Sequence, residues 1–227
     1  MISIVIPAHN EAGEIDKLLQ EFSFFDSLEL IVAEDASTDG TVEIVQEFAS
    51  RNRNVVLTRS STLAGKGAAI KRGLAAATGD VLGFIDADRS IHPDDFMQVV
   101  DAIHCGADLA IGSRRLPASV ILQPQPLLRR ILGSAYAALA RALLQTTERD
   151  LQCGCKAFRR SLWDALIINC DGFAFDTELV AKAHKKGFVI AEVPITWRNK
   201  ADRKVKVRRD VLQMFKCLLS VRAEIRR

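Results

Sequence analysis

Gly79-Asp80-Val81-Leu82-Gly83-Phe84-Ile85-Asp86-Ala87-Asp88 decides the reading of the fold. Val81–Ile85 is a short apolar run, which fits a strand buried on both faces of a mainly parallel sheet. It ends in two carboxylates one residue apart. Open α/β sheets bind ligands beyond the carboxyl ends of their strands. Two hard oxygen donors there suit Mg²⁺ or Mn²⁺, which bind through a few carboxylates together with substrate phosphates. Standing alone, Asp-x-Asp is more often an exposed acidic turn, so its weight depends on what the chain sets beside it.

Upstream, residues 2–6 form a first apolar strand, closed by Pro7. Asn10 is expected to cap a helix whose apolar face is Ile15, Leu18, Leu19 and Phe22. Residues 28–33 form a second strand, running into Glu34-Asp35-Ala36-Ser37-Thr38-Asp39-Gly40-Thr41, another acidic loop at a strand's carboxyl end. Val42, Val45, Phe48 and Ala49 give the next helix its inner face. Residues 55–57 make a third strand. Gly65-Lys66-Gly67 then opens a helix rich in small residues over 68–77. It lacks the spacing of a P-loop, and no Gly-x-Gly-x-x-Gly follows the first strand, which argues against a dinucleotide oxidoreductase. Lys66 at a helix start can meet a phosphate, whereas the two glycines also suit a tight loop with close packing.

Downstream, Pro93 opens a helix carrying Phe96, Val99, Val100 and Ile103, and residues 108–111 form a further strand ending in Gly112-Ser113-Arg114-Arg115. Strand and helix alternate through the first half, which predicts a doubly wound parallel sheet. Pro117, Pro124 and Pro126 then break the pattern. Leu127, Leu128, Ile131, Leu132, Ala135 and Leu139 make a broad apolar helix face with Arg129, Arg130 and Arg141 on it. Such a helix fits a core position or a membrane interface equally well. A turn and short strand follow over 150–159, a helix starts at Phe175-Asp176-Thr177-Glu178-Leu179, and residues 188–197 read as one last strand.

The 227 residues suit one large α/β domain with an extension, and 48% hydrophobic content is ample for a core. The net charge of +3 is unevenly spread: residues 198–227 hold eleven Lys/Arg against three Asp/Glu. That basic tail, with Arg203, Lys204, Lys206 and Arg208 and an apolar stripe of Val211, Leu212, Phe215, Leu218, Leu219 and Ile225, points to an anionic surface as partner. Five cysteines is an odd number and no secretory signal is visible, so buried free thiols are expected rather than a disulfide framework. Cys153-Gly-Cys155 is too tight for a zinc knuckle. No apolar run of about 18 residues suggests a spanning helix.

Four pieces coincide in order: Ile4-Val5-Ile6-Pro7-Ala8-His9-Asn10-Glu11, the loop from Glu34 to Thr41, Gly65-Lys66-Gly67, and Asp86-Ala87-Asp88. Together they resemble glycosyltransferase family 2. Gly112-Ser113-Arg114, Asp150-Leu151-Gln152-Cys153-Gly154-Cys155-Lys156, Phe175-Asp176-Thr177-Glu178-Leu179 and Glu192-Val193-Pro194-Ile195-Thr196-Trp197 narrow this to a likeness to the polyprenyl-phosphate hexosyltransferases, the dolichyl-phosphate mannose synthases and glucosyltransferases. The chain departs from the usual pattern at Glu34 (often Asp), Ala36 (usually Gly), His9 (commonly Tyr) and Cys155 (usually Phe). Gln-Cys-Gly is similar to the glucosyl branch, and Asp88-Arg89-Ser90-Ile91-His92-Pro93 to the mannosyl branch.

The resemblance implies a GT-A fold with a Rossmann-like, mainly parallel sheet flanked by helices and a C-terminal amphipathic basic extension. It implies a catalytic domain over 1–197, with a nucleotide-sugar half at 1–115 and an acceptor half at 116–197, and a tail at 198–227. The implied activity is metal-dependent, inverting transfer of mannose or glucose from GDP-mannose or UDP-glucose to a polyprenyl or dolichyl monophosphate. The metal, Mg²⁺ or Mn²⁺, would sit on Asp86 and Asp88, with Asp88 and Arg114 catalytic. Pro7, His9, Glu11, Asp35, Lys66, Asp86 and Ala87 would bind the nucleotide sugar, and Arg114, Arg130 and Ser134 the acceptor phosphate. That phosphate is already ionised near neutral pH, so it needs cationic positioning rather than a strong general base. The implied place is the cytoplasmic face of a membrane, held peripherally, with a membrane-anchoring subunit as a further partner and no nucleic acid. Two other readings stay open: transfer to a glycan or protein hydroxyl, and a non-catalytic adaptor that binds membrane or nucleic acid. The arginine set and the segment from Asp150 disfavour the first, and the intact Asp86, Asp88 and Arg114 the second. No Gln-x-x-Arg-Trp motif of a processive synthase occurs.

Overall fold

The computed structural model describes residues 1–25, 27–200 and 207–225. Strands β1 (Ile2–Ala8), β2 (Leu28–Asp35), β3 (Val55–Ser60) and β4 (Val81–Ile85) alternate with helices α1 (Ile15–Phe22), α2 (Thr41–Arg51) and α3 (Lys66–Ala76). Helix α4 (Pro93–His104) leads to β5 (Leu109–Ser113). β1 pairs in parallel with β2 and β4, and β2 with β3. These strands carry near-continuous Ile, Val, Leu and Phe because helices cover both faces. Ile4, Val5, Ile6, Leu30 to Ala33, and Leu82, Phe84 and Ile85 are all fully buried. The amphipathic pattern of α1 holds as expected, with Ile15, Leu18, Leu19 and Phe22 turned inward.

After β5 the order changes. β6 (Val120–Gln123) and α5 (Leu127–Leu144) precede β7 (Cys155–Arg159), which inserts antiparallel between β4 and β5. Helices α6 (Arg160–Ala165) and α7 (Phe175–Lys185) lead to β8 (Ile190–Pro194), which pairs in parallel with β5. The seven-stranded sheet thus runs β3-β2-β1-β4-β7-β5-β8. The expected last strand over 188–197 is divided at Ile195. β9 (Thr196–Arg198) leaves the main sheet to pair with β6. Pro194 lacks an amide donor, so the strand has a natural place to change partners.

Three further expectations are corrected. Asn10 does not cap α1, whose N-cap is Glu14 without a side-chain bond. Instead Asn10 has φ 53°, and its Oδ1 accepts from the Thr38 N–H at 2.8 Å. Second, Cys170 and Cys217 are not free thiols. They form a disulfide with Cα atoms 6.5 Å apart, while Cys105, Cys153 and Cys155 stay free. Third, helix α8 (Val207–Ile225) packs Leu218 and Val221 into the core, with Phe215 and Leu219 outside. Arg203, Lys204 and Lys206 of the basic tail lie outside the described residues, as do the side chains of Arg208, Val211 and Leu212.

Candidate active site

β4 and β5 are both antiparallel to β7, so they run the same way as β1 and β2. The carboxyl ends of β1, β2, β4 and β5 therefore bring Pro7, Asp35, Asp86 and Arg114 to one edge. The loops after β1 and β2 are stitched together. Ser37 Oγ accepts from the Asn10 N–H at 3.0 Å, Thr41 Oγ1 from the Glu11 N–H at 2.8 Å, and Asp39 Oδ2 from the Ala12 N–H at 3.0 Å. His9 Nδ1 lies 2.7 Å from the Asp35 carbonyl oxygen, so that nitrogen carries a proton. The buried Asp35 carboxylate accepts from the N–H groups of Ala64 and Gly65 at 2.8–3.1 Å. It thereby fixes the loop that delivers Lys66. Ala36 follows with φ 57°, a left-handed conformation that explains why glycine is the easier residue there.

Lys66 opens α3 and reaches the end of β4. Its Nζ is 2.8 Å from Asp86 Oδ1 and 3.2 Å from Asp176 Oδ2. Asp176 stands in the first turn of α7, and its Oδ1 accepts from Lys156 Nζ at 2.6 Å. Lys156 is fully buried and also donates to the Cys153 carbonyl at 2.6 Å. Both ammonium groups flank the Phe84 ring, 5.7 and 5.4 Å from its centroid. The result is a row of alternating charge that runs from the partly buried Asp86 and Lys66 to the buried Asp176 and Lys156. Burial alone pulls the Lys66 ammonium pKa down, but Asp176 and Asp86 overcome it and hold it above the usual lysine value. Burial raises Asp86, with Lys66 opposing and Asp88 adding to the rise. Burial also pushes on Asp176, yet Lys156 and Lys66 hold its carboxyl below the usual range.

Asp86 has its N–H on the Gly154 carbonyl at 2.9 Å and its carboxyl pressed against Gly154. Ala87 is buried. Asp88 Oδ1 accepts from the Ser90 N–H at 2.9 Å. Arg89 has φ 54° and turns away to α1, where it pairs with Glu14 at 2.9 Å and with Glu21. The Asp88 turn is thus tied to α1 on one side. On the other, the Arg198 N–H donates to the Ser90 carbonyl at 2.9 Å, and Ile91 bridges Trp197.

Arg114 lies over the same Trp197, with its guanidinium carbon 5.6 Å from the ring centroid. Its Nε and Nη2 donate to Asp150 at 2.7 Å each, a bidentate pair. Burial pushes the Asp150 carboxyl up, but Arg114 wins and holds it below the usual range. Glu192 fixes this turn by accepting from the N–H groups of Arg149 and Asp150 at 2.9 and 3.1 Å. Arg130 and Ser134 share the exposed face of α5. The residue after Arg114 reaches that helix: Arg115 Nη2 donates to the Gly133 carbonyl at 3.3 Å. Two residues past Ser134, Tyr136 Oη lies 3.2 Å from Thr177 Oγ1, next to Asp176.

The donor chemistry suits a hard divalent cation. Asp86 and Asp88 offer carboxylate oxygens alone, and a cation already sits on Asp86 in the form of the Lys66 ammonium. Reading the sequence assigned no role to Asp150, Lys156, Asp176 and Gly154. Lys156 within the apolar run Cys155-Lys156-Ala157-Phe158 is the signal that could have found this row, because a lysine in a strand buried on both faces demands a carboxylate. A cavity of about 380 Å³ lies elsewhere, lined by Cys170, Gly172, Phe173, Gln213, Met214 and Cys217 among others, and by none of Lys66, Asp86, Asp88 or Asp176.

The family model for glycosyl transferase family 2 matches residues 3–166. The chain belongs to that family. The transferase is 35% identical over 223 residues to glycosyltransferase AglD of Haloferax volcanii, covering 94% of this chain and only 35% of the relative. It is 30% identical to a dolichyl-phosphate beta-glucosyltransferase of Dictyostelium discoideum, covering 97% of this chain and 73% of the relative. It is also 30% identical to polyprenol monophosphomannose synthase of Mycolicibacterium smegmatis, covering 87% and 77%. Among solved structures, glucosyl-3-phosphoglycerate synthase of Mycobacterium tuberculosis, in complex with Mn²⁺, UDP and glucosyl-3-phosphoglycerate, aligns with a TM-score of 0.76 at 27% identity, covering 98% of this chain and 80% of that one. The transferase therefore has the GT-A architecture and is a glycosyltransferase related to the dolichyl-phosphate hexosyltransferases.

Proposed function

We propose that this glycosyltransferase is metal-dependent and inverting, and that it moves mannose or glucose from GDP-mannose or UDP-glucose to a polyprenyl or dolichyl monophosphate. The observation that carries the reading is the charge arrangement at the sheet edge. Asp86 and Asp88 offer a cation site beside Lys66, and Arg114 is locked by Asp150 at the end of β5. Relatives named for dolichyl-phosphate glucosyl transfer and polyprenol phosphomannose synthesis support it, as does a neighbour solved with Mn²⁺ and UDP.

In this reading Asp88 is the direct metal ligand, and Asp86 serves the metal and the ribose. Pro7, His9, Glu11, Asp35, Lys66 and Ala87 line the nucleotide-sugar pocket. A bound Mg²⁺ or Mn²⁺ would neutralise the charge that builds on the leaving diphosphate. Asp150 holds two of the five N–H donors of Arg114. The remaining donors, with Arg130 and Ser134, take the acceptor phosphate. That phosphate oxygen attacks the anomeric carbon in line as the nucleoside diphosphate leaves, which inverts an α-linked donor to a β-linked product. The reaction takes place at the cytoplasmic face of a membrane, with the chain attached peripherally or through an anchoring subunit. Among the described residues no helix is long and apolar enough to cross a membrane.

A second reading follows from the solved neighbours, which are glucosyl-3-phosphoglycerate synthases: a small phosphorylated acid as acceptor. The test is product analysis with each donor against a short polyprenyl phosphate and, separately, 3-phosphoglycerate. A β-linked hexosyl phospholipid from one donor is expected. Transfer to phosphoglycerate alone, or to neither acceptor, overturns the lipid reading.

A further inference from the structure

Lys66 is shared between two carboxylates, 2.8 Å from Asp86 and 3.2 Å from Asp176. Only Asp86 belongs to the cation site proposed above. Asp176 is a different kind of partner. It is almost wholly buried, lies in the first turn of α7 where the helix favours negative charge, and is clamped by the fully buried Lys156. Its second oxygen faces Lys66, so the α7 side of the site holds a fixed carboxylate for that ammonium.

The backbone of Lys66 is equally fixed. A Cβ on Gly65 would stand 2.7 Å from the Asp171 carbonyl oxygen, and one on Gly67 would stand 2.6 Å from that of Cys170. The Ala68 N–H donates to the Asp171 carbonyl at 3.0 Å. Movement of the charge is therefore left to the four-carbon stem, which is flexible and carries a compact cation. Two cations that need the same carboxylate in a partly buried site repel each other and are screened less than on an open surface.

We propose that Lys66 competes with the divalent ion for Asp86, and that Asp176, positioned by Lys156, is the carboxylate that takes Lys66 over when the ion wins. Asp176 is thus a positioning residue: it keeps the ammonium in the donor site, beside the place of the diphosphate, instead of letting it block the metal. This inference rests on the metal reading of Asp86 and Asp88. No covalent step is involved.

The test is the binding of Mn²⁺ alone to the full chain, read by the electron paramagnetic resonance signal of free Mn²⁺ without nucleotide, with circular dichroism to confirm folding. Lys66→Met removes the competitor and should bind Mn²⁺ roughly tenfold tighter or more than the parent chain, as expected for loss of a neighbouring like charge. Asp176→Asn removes the alternative partner, confines Lys66 to Asp86, and should bind Mn²⁺ more weakly. Opposite signs are the signature; a merely structural ion network predicts weakening in both. Mn²⁺ binding to Lys66→Met that is unchanged or weaker, or to Asp176→Asn that is tighter, overturns the competition while leaving the metal reading standing. No Mn²⁺ binding by the parent chain, even with UDP or GDP added, overturns both. The sign for Lys66→Met decides between the two; if that variant does not fold, Lys66→Gln, which also removes the charge, takes its place.

Discussion

Gly154 is small because Asp86 takes the space beside it. A Cβ at position 154 would stand 1.8 Å from Asp86 Oδ2, and the carboxylate is the part able to yield. Gly154→Ala should keep the fold within about 1 kcal/mol but displace Asp86, lowering turnover by on the order of 10²-fold, because misplacement by about 1 Å has that cost. Unfolding curves beside steady-state rates check it; full turnover would mean that Asp86 needs no exact position. Asp88→Asn should likewise retain stability and lose about 10²-fold or more in metal-dependent rate, measured across a Mn²⁺ titration. Asp150 supplies a pH test. Its folded pKa is depressed, chiefly by Arg114 acting against burial, so the stability from this pair is fully present above the unfolded carboxylate value of about 4 and is lost as pH falls through the folded value. Asp150→Asn should cost about 3–5 kcal/mol near pH 7, and the gap to the parent chain should close below about pH 4. Urea unfolding at several pH values decides it; a gap that persists in acid would assign the stability to packing instead.

At the scale of elements, the first half was legible because each strand is a short apolar run with helices on both faces. The runs around Ile4, Ile31 and Phe84 could therefore be placed from hydrophobicity alone. What escaped depends on partners distant in sequence. β7 lies antiparallel between β4 and β5, and nothing in Cys155-Lys156-Ala157-Phe158 announces direction. β6 pairs with β9 although four exposed residues form it. The Asp-x-Asp at the edge was visible because two acids after an apolar run stand out, whereas Asp176 and Lys156 become a pair only when α7 docks. The same holds for Cys170 and Cys217, 47 residues apart. This disulfide ties α8 to the segment that supports Gly65 and Gly67, and closing a loop of that length contributes about 2–4 kcal/mol. Reductant should lower the unfolding midpoint of the parent chain, while Cys217→Ser should start lower and not respond. Equal responses of the two chains would place the reducible bond elsewhere.

For the whole molecule, the proposed lipid acceptor raises the question of how the chain meets a bilayer when, among the described residues, no helix is long and apolar enough to cross a membrane. Two candidates came from sequence, the helix after Pro126 and the basic tail, and the structure treats them differently. On α8, Leu218 and Val221 are used for packing. On α5, Leu127, Leu128, Ile131 and Leu132 stay exposed beside Arg129 and Arg130, and the exposed Val120 to Leu122 of β6 precede them. Apolar residues interleaved with arginines fit the boundary between headgroups and acyl chains. In the proposed attachment the tail would add attraction for anionic lipid, about 1 kcal/mol per basic residue near the surface, and this part would fade with salt. Flotation with vesicles separates the two contributions. Leu128→Glu with Ile131→Glu should abolish attachment to neutral and anionic vesicles alike. Reversing the charges at Arg203, Lys204, Lys206 and Arg208 should remove only the salt-sensitive share on anionic vesicles. If the α5 double variant floats like the parent chain, the apolar face is not the docking element and attachment falls to the tail or to another subunit.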